Sequence, residues 1–241
     1  MSQIAIITAT LNSQNFILEL IRSLNSQTNK NFCWYIIDCL STDNTVELIK
    51  NYSEVNYQII SEQDSGIYDA LNKAIKIIEE EYYLVLGSDD IIYQDTINSY
   101  IASIKKNPDL VFSRWNVNQK TLKPKTKFGW LNGMLGVGSS HSVATLIKKK
   151  LHLEIGYYDL NYRMCADQLF IKKVCYKKNT KILYEKFISG KFNSSGYSST
   201  NIFQYINELF LIQISTEKYK FLQLILYLLR VIKHWKKIKN R

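Results

Sequence analysis

The chain has 241 residues, 46% hydrophobic and 22% charged, which is one large domain or one domain with an appendage and excludes a disordered chain. Nine Gly and two Pro exclude collagen-like and linker-rich designs. The net charge of +10 is localised: residues 218–241 carry eight Lys or Arg and no acid, leaving a nearly neutral body.

Hydrophobic periodicity divides the first hundred residues into alternating strands and helices. Ile4-Ala5-Ile6-Ile7 is a strand candidate, after which Asn12-Ser13 can cap a helix carrying Phe16, Leu20 and Leu24 on one stripe. Trp34–Ile37 is a second strand, followed by the polar cluster Ser41-Thr42-Asp43-Asn44 and a helix through Val46, Ile49 and Lys50. Tyr57–Ser61 is a third strand. Ile67, Leu71, Ala74, Ile75 and Ile78 then recur at helical spacing, and Tyr82–Leu86 is a fourth strand. This rhythm predicts an α/β fold with a mostly parallel sheet.

Beyond residue 108 the pattern loosens. Leu110–Trp115 reads as a strand, 116–140 as an irregular segment holding four glycines, Ser142–Lys148 as strand-like and Ala166–Tyr176 as a helix. Lys181–Tyr184 and Phe187–Phe192 read as two short strands, and the chain from Ile202 onward as two helices. In parallel α/β sheets ligands bind beyond the carboxyl ends of the strands. The polar residues cluster in three such loops: Thr8–Asn12, Asp38–Asp43 and Ser88–Asp90.

Several chemistries are excluded by motif. The four cysteines at 33, 39, 165 and 175 include no Cys-x-x-Cys pair, so they read as buried reduced thiols. There is no Gly-x-x-x-x-Gly-Lys-Ser/Thr loop, and the Gly133–Gly138 run is not a dinucleotide fingerprint, because His stands at position 141. What remains is carboxylates at strand ends. Asp89-Asp90 follows an apolar strand directly, where two adjacent acids repel and a cation offsets the cost; Mg²⁺ or Mn²⁺ fits such oxygen ligands. The alternative for Asp90 and Asp95 is helix capping. Asp38 likewise ends a strand, with Ser41 to Asp43 reading as a capping cluster, and Ser61–Lys73 concentrates ionisable groups around Gly66.

Ile6–Asn12 with Thr8 and Thr10, Ile36-Ile37-Asp38 with Ser41–Thr45, Ser61–Lys73, and Leu86-Gly87-Ser88-Asp89-Asp90 together resemble family 2 glycosyltransferases, in the bacterial branch that builds surface polysaccharides. The likeness continues at His141-Ser142, Glu154–Asp159, Ala166-Asp167 and, faintly, Phe192–Ser198. It implies a GT-A fold: a nucleotide-binding sheet flanked by helices over 1–200, with a nucleotide-sugar half (1–108), an acceptor half (109–200) and a C-terminal helical extension (201–241). It implies that Thr8, Thr10, Asn12 and Asp38 hold the donor nucleotide, Asp38 at the base. By the same resemblance Asp64 lies near the uridine or ribose, Asp89 faces the ribose or sugar, Asp90 binds Mn²⁺ or Mg²⁺, and Asp167 is the catalytic base. Three departures stand out: a Ser-Asp-Asp metal motif, His141-Ser142 where the family has His-Gln, and Ala166-Asp167 where an acidic pair is usual.

The chemistry is coherent without the family. Transfer of a sugar from a nucleotide diphosphate needs charge stabilisation on the leaving group, which a divalent ion supplies, and a base for the attacking hydroxyl. Asp167 also reads as the N-cap of its helix. His141, after a glycine-rich run, is a candidate metal or diphosphate contact, or simply a structural histidine. The resemblance implies an inverting transfer from a UDP-sugar to a glycan or lipid-linked oligosaccharide in O-antigen, capsule or lipopolysaccharide synthesis. Residues 114–140 and 190–205 would shape the acceptor pocket.

The tail points to a membrane. If 221–241 is helical, Phe221, Ile225, Leu228, Ile232 and Trp235 share one face, with Arg230, Lys233, Lys237 and Arg241 opposite. Such a basic amphipathic helix suits an anionic membrane surface; the alternative is a helix packed on the body with a solvated basic face. No apolar run reaches a bilayer-spanning length and Met1–Thr10 lacks a signal-peptide start, so the expected location is cytoplasmic, peripheral on the inner membrane face. The competing function is a non-catalytic protein that binds membrane or nucleic acid through this tail. Nucleic acid is not expected, because the charge does not line a groove with interleaved aromatics.

Overall fold

The computed structural model describes residues 3–125, 129–132, 136–138, 141–192 and 201–239. The strands are β1 (Ile4–Thr10), β2 (Phe32–Asp38), β3 (Tyr57–Ser61), β4 (Tyr82–Val85), β5 (Ile91–Ile92), β6 (Leu110–Val117), β7 (Lys120–Leu122), β8 (Thr145–Lys148) and β9 (Ile182–Lys191). The helices are α1 (Ile17–Asn25), α2 (Thr45–Tyr52), α3 (Ile67–Ile77), α4 (Thr96–Ile104), α5 (Gly129–Asn132), α6 (Leu151–Ile155), α7 (Ala166–Tyr176), α8 (Ile202–Thr216) and α9 (Lys220–Lys239). Among the described residues the strands form one sheet in the order β3-β2-β1-β4-β8-β6-β9-β5, with β7 paired to β6. The first half, β1 to β4, is wholly parallel. β8 then runs antiparallel to both β4 and β6, so the whole sheet is mixed.

Strand alternation divides the core into two layers. Ala5 and Ile7 of β1 face α3, α6 and α7, while Ile4 and Ile6 face α1 and α4. A third, smaller cluster of Met164, Cys165, Leu169 and Ile212 joins α7 to α8. Burial of Lys172 in the same seam is offset by pairing: its ammonium meets Glu217 at 2.7 Å and donates to Gln213 Oε1 at 2.5 Å.

Several expectations are corrected. β1 does not stop at Ile7 but runs to Thr10, because Thr8 to Thr10 stay paired with Ile36 to Asp38 of β2. The first helix starts at Ile17 rather than after Asn12-Ser13, since residues 13–16 form a turn that bonds back to the Ser13 carbonyl. Phe16 therefore falls off the buried stripe, which is Ile17, Leu20, Ile21 and Leu24. Ser142–Ala144 is a 3-10 turn, and only Thr145–Lys148 is strand. The two short strands expected at 181–192 are one strand, β9, which stays on β6 across two register shifts. The irregular segment contains β7 and α5; Gly133, and the faint resemblance at 193–198, lie outside the described residues. Asp95 sits at the N-cap of α4 without a side-chain cap bond, and accepts from Thr28 Oγ1 instead.

Candidate active site

Because β1, β2 and β4 are neighbouring and parallel, their carboxyl ends share one edge of the sheet, and a cleft of about 530 Å³ opens there. Ala9, Thr10, Leu11 and Cys39 form its floor side; Asp64 to Asp69 and the opposing Leu160, Tyr162 and Arg163 complete it. Gly66 has φ +129, a backbone conformation that side chains rarely adopt, and its N–H donates to Asp64 Oδ1 at 2.9 Å. That turn sets Asp64 in the wall at the start of α3.

The loops after β1 and β2 are sewn together. Asn12 donates its N–H to Ser41 Oγ (2.9 Å) and accepts the Thr42 N–H on Oδ1 (2.9 Å), while Gln14 N–H reaches Asp43 Oδ2 at 3.0 Å. Asp43 also accepts the Thr45 N–H, as a capping residue would. Asp38 is fully enclosed and accepts from Ser41 N–H (3.0 Å) and Ser61 Oγ (2.6 Å), so it fastens the loops after β2 and β3. Thr10 lines the cleft, and its hydroxyl has no partner among the described residues. Thr8 lies elsewhere. Extension of β1 turns its side chain into the interior, where it accepts the Trp34 indole N–H at 3.0 Å, and it is not part of the cleft wall.

Asp89 and Asp90 fold back around Gly87. A Cβ there would meet Asp89 Oδ1 at 3.0 Å and Asp90 Oδ2 at 3.4 Å, so both carboxylates close over the glycine. Asp90 Oδ2 accepts the Gly87 N–H at 2.8 Å; its Oδ1 is buried with no partner among the described residues. Burial pushes the Asp90 carboxyl up to about 8, with Gly87 opposing and Asp89 adding to the shift. An unpaired buried carboxylate oxygen is costly. Among the described residues no three His, Cys, Asp or Glu side chains form an all-protein metal cage. The pair instead fits an ion of the Mg²⁺ or Mn²⁺ class, which takes one or two carboxylates and completes its shell with phosphate and water oxygens. Asp90 Oδ1 is the atom available for that role.

A second, smaller cleft of about 110 Å³ shares Ile67 and Tyr68 with the first and is lined by His141, Tyr158, Asp167 and Gln168. Asp167 is in the first turn of α7, whose N-cap is Cys165, so it is not the cap that its position suggested. Tyr68 donates its hydroxyl to Asp167 Oδ1 at 2.6 Å. Burial raises the Asp167 carboxyl above its ordinary range, with the Tyr68 bond opposing, which makes it a stronger base. His141 caps the 3-10 turn, its Nδ1 accepting from Val143 N–H at 3.2 Å, and its ring lies tilted against Phe192, with centroids 3.8 Å apart. Burial holds its imidazole neutral, down to about 3.

Four residues of the site carried no assignment from sequence. Tyr68 falls at helical spacing with Leu71 and Ile75 and reads as core. Arg163 brings a cation to the larger cleft from a segment without a motif. Gln168 Oε1 lines the smaller cleft without a partner among the described residues. Glu208 of α8 accepts the N–H groups of Arg163 (3.1 Å), Met164 (2.8 Å) and Cys165 (3.0 Å), and so supplies the start of α7 with the anion its own N-cap lacks. Only the Asp-x-Gly-x-Tyr-Asp clustering around Tyr68 offered a signal; the Glu208 contact spans more than 40 residues.

The family model described as Glycosyl transferase family 2 matches residues 5–175. A PGL/p-HBAD biosynthesis glycosyltransferase of Mycobacterium tuberculosis is 26% identical over 98% of this chain and 92% of its own length. The poly(ribitol-phosphate) beta-N-acetylglucosaminyltransferase TarS of Staphylococcus aureus is 25% identical over 89% of this chain, which spans 41% of that protein. In fold, the chain matches crystalline TarS 1–349 in complex with UDP-GlcNAc with a TM-score of 0.64 and 20% identity, over 97% of this chain and 73% of that one. The mannosyltransferase PcManGT of Pyrobaculum calidifontis, in complex with GDP-Man and Mn²⁺, matches with a TM-score of 0.69 and 14% identity, over 97% and 75%.

Proposed function

The chain belongs to glycosyl transferase family 2, and from that premise we propose that it is an inverting, metal-dependent transferase using a UDP-sugar. The acceptor in this reading is a hydroxyl of a glycan or lipid-linked oligosaccharide of cell-surface polysaccharide synthesis, presented at the inner face of the membrane. The observation that carries it is the pair of clefts sharing the Ile67–Tyr68 wall, with Asp64 and Arg163 in one and Asp167 in the other. A donor in the larger cleft and an acceptor in the smaller one would meet at that wall. The nucleotide-sugar complexes of TarS and PcManGT support the same use of the fold.

The chain's own residues then divide the work. Thr10 and Asp64 face the nucleotide, and Asn12 and Asp38 order the loops around its base. Thr8 contributes through Trp34 and the strand rather than by contact. Asp89 faces the ribose or sugar. Arg163 opposes the charge of the diphosphate. Asp167 takes the proton of the acceptor hydroxyl as its oxygen bonds to the anomeric carbon and the bond to the diphosphate breaks, giving a β-linked product from an α-linked donor. A positioned base of this kind is worth about 10²–10⁴-fold. Mn²⁺ or Mg²⁺ at Asp90 would stabilise the negative charge developing on the leaving diphosphate. His141, neutral at its edge of the smaller cleft, could contact the diphosphate.

Thermal unfolding with UDP, GDP or CMP, with and without Mn²⁺, tests the assignment. A ligand at about 100 times its Kd adds about 2.7 kcal/mol, a readily measured shift. The expected outcome is stabilisation by UDP that requires Mn²⁺ and is absent in Asp90→Ala. Equal stabilisation of Asp90→Ala would remove the metal from this site, and a preference for GDP or CMP would overturn the donor.

A further inference from the structure

Helix α9 packs on the body the wrong way round for a helix in water. Its inward positions are polar: Gln223 is buried and donates to the Trp130 carbonyl at 2.9 Å, Tyr227 donates to Asn207 Oδ1 at 2.9 Å, and Arg230 Nη2 donates to the Leu131 carbonyl at 2.6 Å. Buried Gln213 of α8 donates to the carbonyls of both Gly129 and Trp130 and so joins α5 to the same seam. These bonds at i, i+4 and i+7 fix the rotation of the helix. The apolar stripe therefore faces out: Phe221, Ile225, Leu228, Leu229, Ile232 and Trp235 are between 41% and 76% exposed. A soluble amphipathic helix normally does the reverse.

Two further observations identify what covers this face. Residues 218–241 carry no acid, and Lys220, Lys233, Lys236 and Lys239 are exposed around the stripe. A second copy of the same helix would set this charge against itself, whereas an anionic surface complements it. No helix among the described residues is long and apolar enough to cross a membrane, so α9 would lie in the interface, its 20 residues about 30 Å long. Trp130 and Leu131 of α5, also exposed, adjoin it through the Gln223 and Arg230 bonds.

We propose that the outward face of α9, continued by Trp130 and Leu131, binds the surface of an anionic lipid bilayer. This deepens the transferase reading and rests on it in one respect: α5 belongs to the acceptor half, so the face that meets lipid also carries acceptor-side chain. Binding itself needs no activity.

The test is co-sedimentation of the full chain with phosphatidylcholine vesicles, with and without phosphatidylglycerol, at low and high salt. The expected result is pelleting with the phosphatidylglycerol vesicles that weakens with salt and falls about tenfold or more in Leu228→Asp/Ile232→Asp, a factor that corresponds to about 1.4 kcal/mol. Lys233→Glu/Lys236→Glu should weaken binding to the anionic vesicles as well. The ligand-free unfolding midpoint reports whether each variant folds, and the UDP-dependent shift separates failure of this inference from failure of the donor assignment. Absence of wild-type pelleting, or pelleting unchanged in both variants, overturns it. So does a concentration-dependent dimer, seen by sedimentation velocity, that Leu228→Asp/Ile232→Asp abolishes, because the face then belongs to a second copy.

Discussion

The hydroxyl of Tyr68 is the smallest group on which the proposed chemistry depends. It fixes Asp167 Oδ1 at 2.6 Å and opposes the rise that burial imposes on that carboxyl. Tyr68→Phe keeps the ring in the core and removes only the donor. We expect kcat to fall by about 10- to 100-fold, within the range of a base held out of register. The sign of the pH effect follows from the bond: losing a donor that favours the carboxylate raises its pKa, so the acid limb of kcat/KM moves to higher pH. A pH–rate profile of the variant checks it, and an unmoved limb would mean that Asp167 does not titrate in that limb. At this scale the sequence was legible for the placing of three acids, since Asp64 and Asp167 each line a cleft and Asp90 is buried with an unpartnered oxygen, whereas Asp89 is half-buried and lines neither cleft. It was misleading for Thr8, because an apolar run does not announce that its strand continues through three more residues.

Among the elements, α7 shows most clearly how distant segments make one site. Its N-cap, Cys165, makes no side-chain cap bond, and Glu208 on α8 instead holds the N–H groups of Cys165 and of the two residues leading into it, Arg163 and Met164. Glu208→Ala leaves three backbone donors without their anion, and a loss of about 2–3 kcal/mol in urea unfolding is expected. A larger fall in kcat than change in donor KM should accompany it, since α7 carries Asp167 while the larger cleft is built mostly by other elements. β1, β2 and β4 were legible because each is a short, buried apolar run between polar loops, and α7 because its period is regular over the whole length Ala166–Tyr176; β3, partly exposed, is marked only by its Ile59-Ile60 pair. β9 was not, because polar Glu185-Lys186 interrupts its apolar pattern; Glu185 turns to Ser103 and Lys106 while the strand stays paired. The inverted packing of α9 was half legible: sequence gives the two faces of a helix, but only tertiary partners decide which one turns inward.

Across the whole molecule, one buried network ties the sheet to the face that holds α7. Tyr83 of β4 hydrogen-bonds both Tyr158 (2.9 Å) and His152 Nε2 (2.6 Å), and the other ring nitrogen of His152 meets the Gly156 carbonyl at 3.1 Å. Burial depresses the His152 imidazole to about 4, with the Gly156 bond opposing. The folded state therefore binds its proton less readily than the unfolded chain, whose histidines titrate near 6.5. Stability should fall as pH drops from about 6.5 to about 4, by roughly 3 kcal/mol from this group. Urea midpoints at pH 7 and pH 5 check the direction, and His152→Gln should flatten the difference. The Glu208 contacts carry a different consequence, one of time. Chains fold as they are made, at about 5–20 residues per second. Glu208 lies 43 residues after Cys165, so the segment leading into α7 waits roughly 2–9 s on the ribosome for the carboxylate that holds it. Arg163 of the larger cleft waits as long, because the same carboxylate accepts its N–H, so both clefts are finished only once Glu208 has been made.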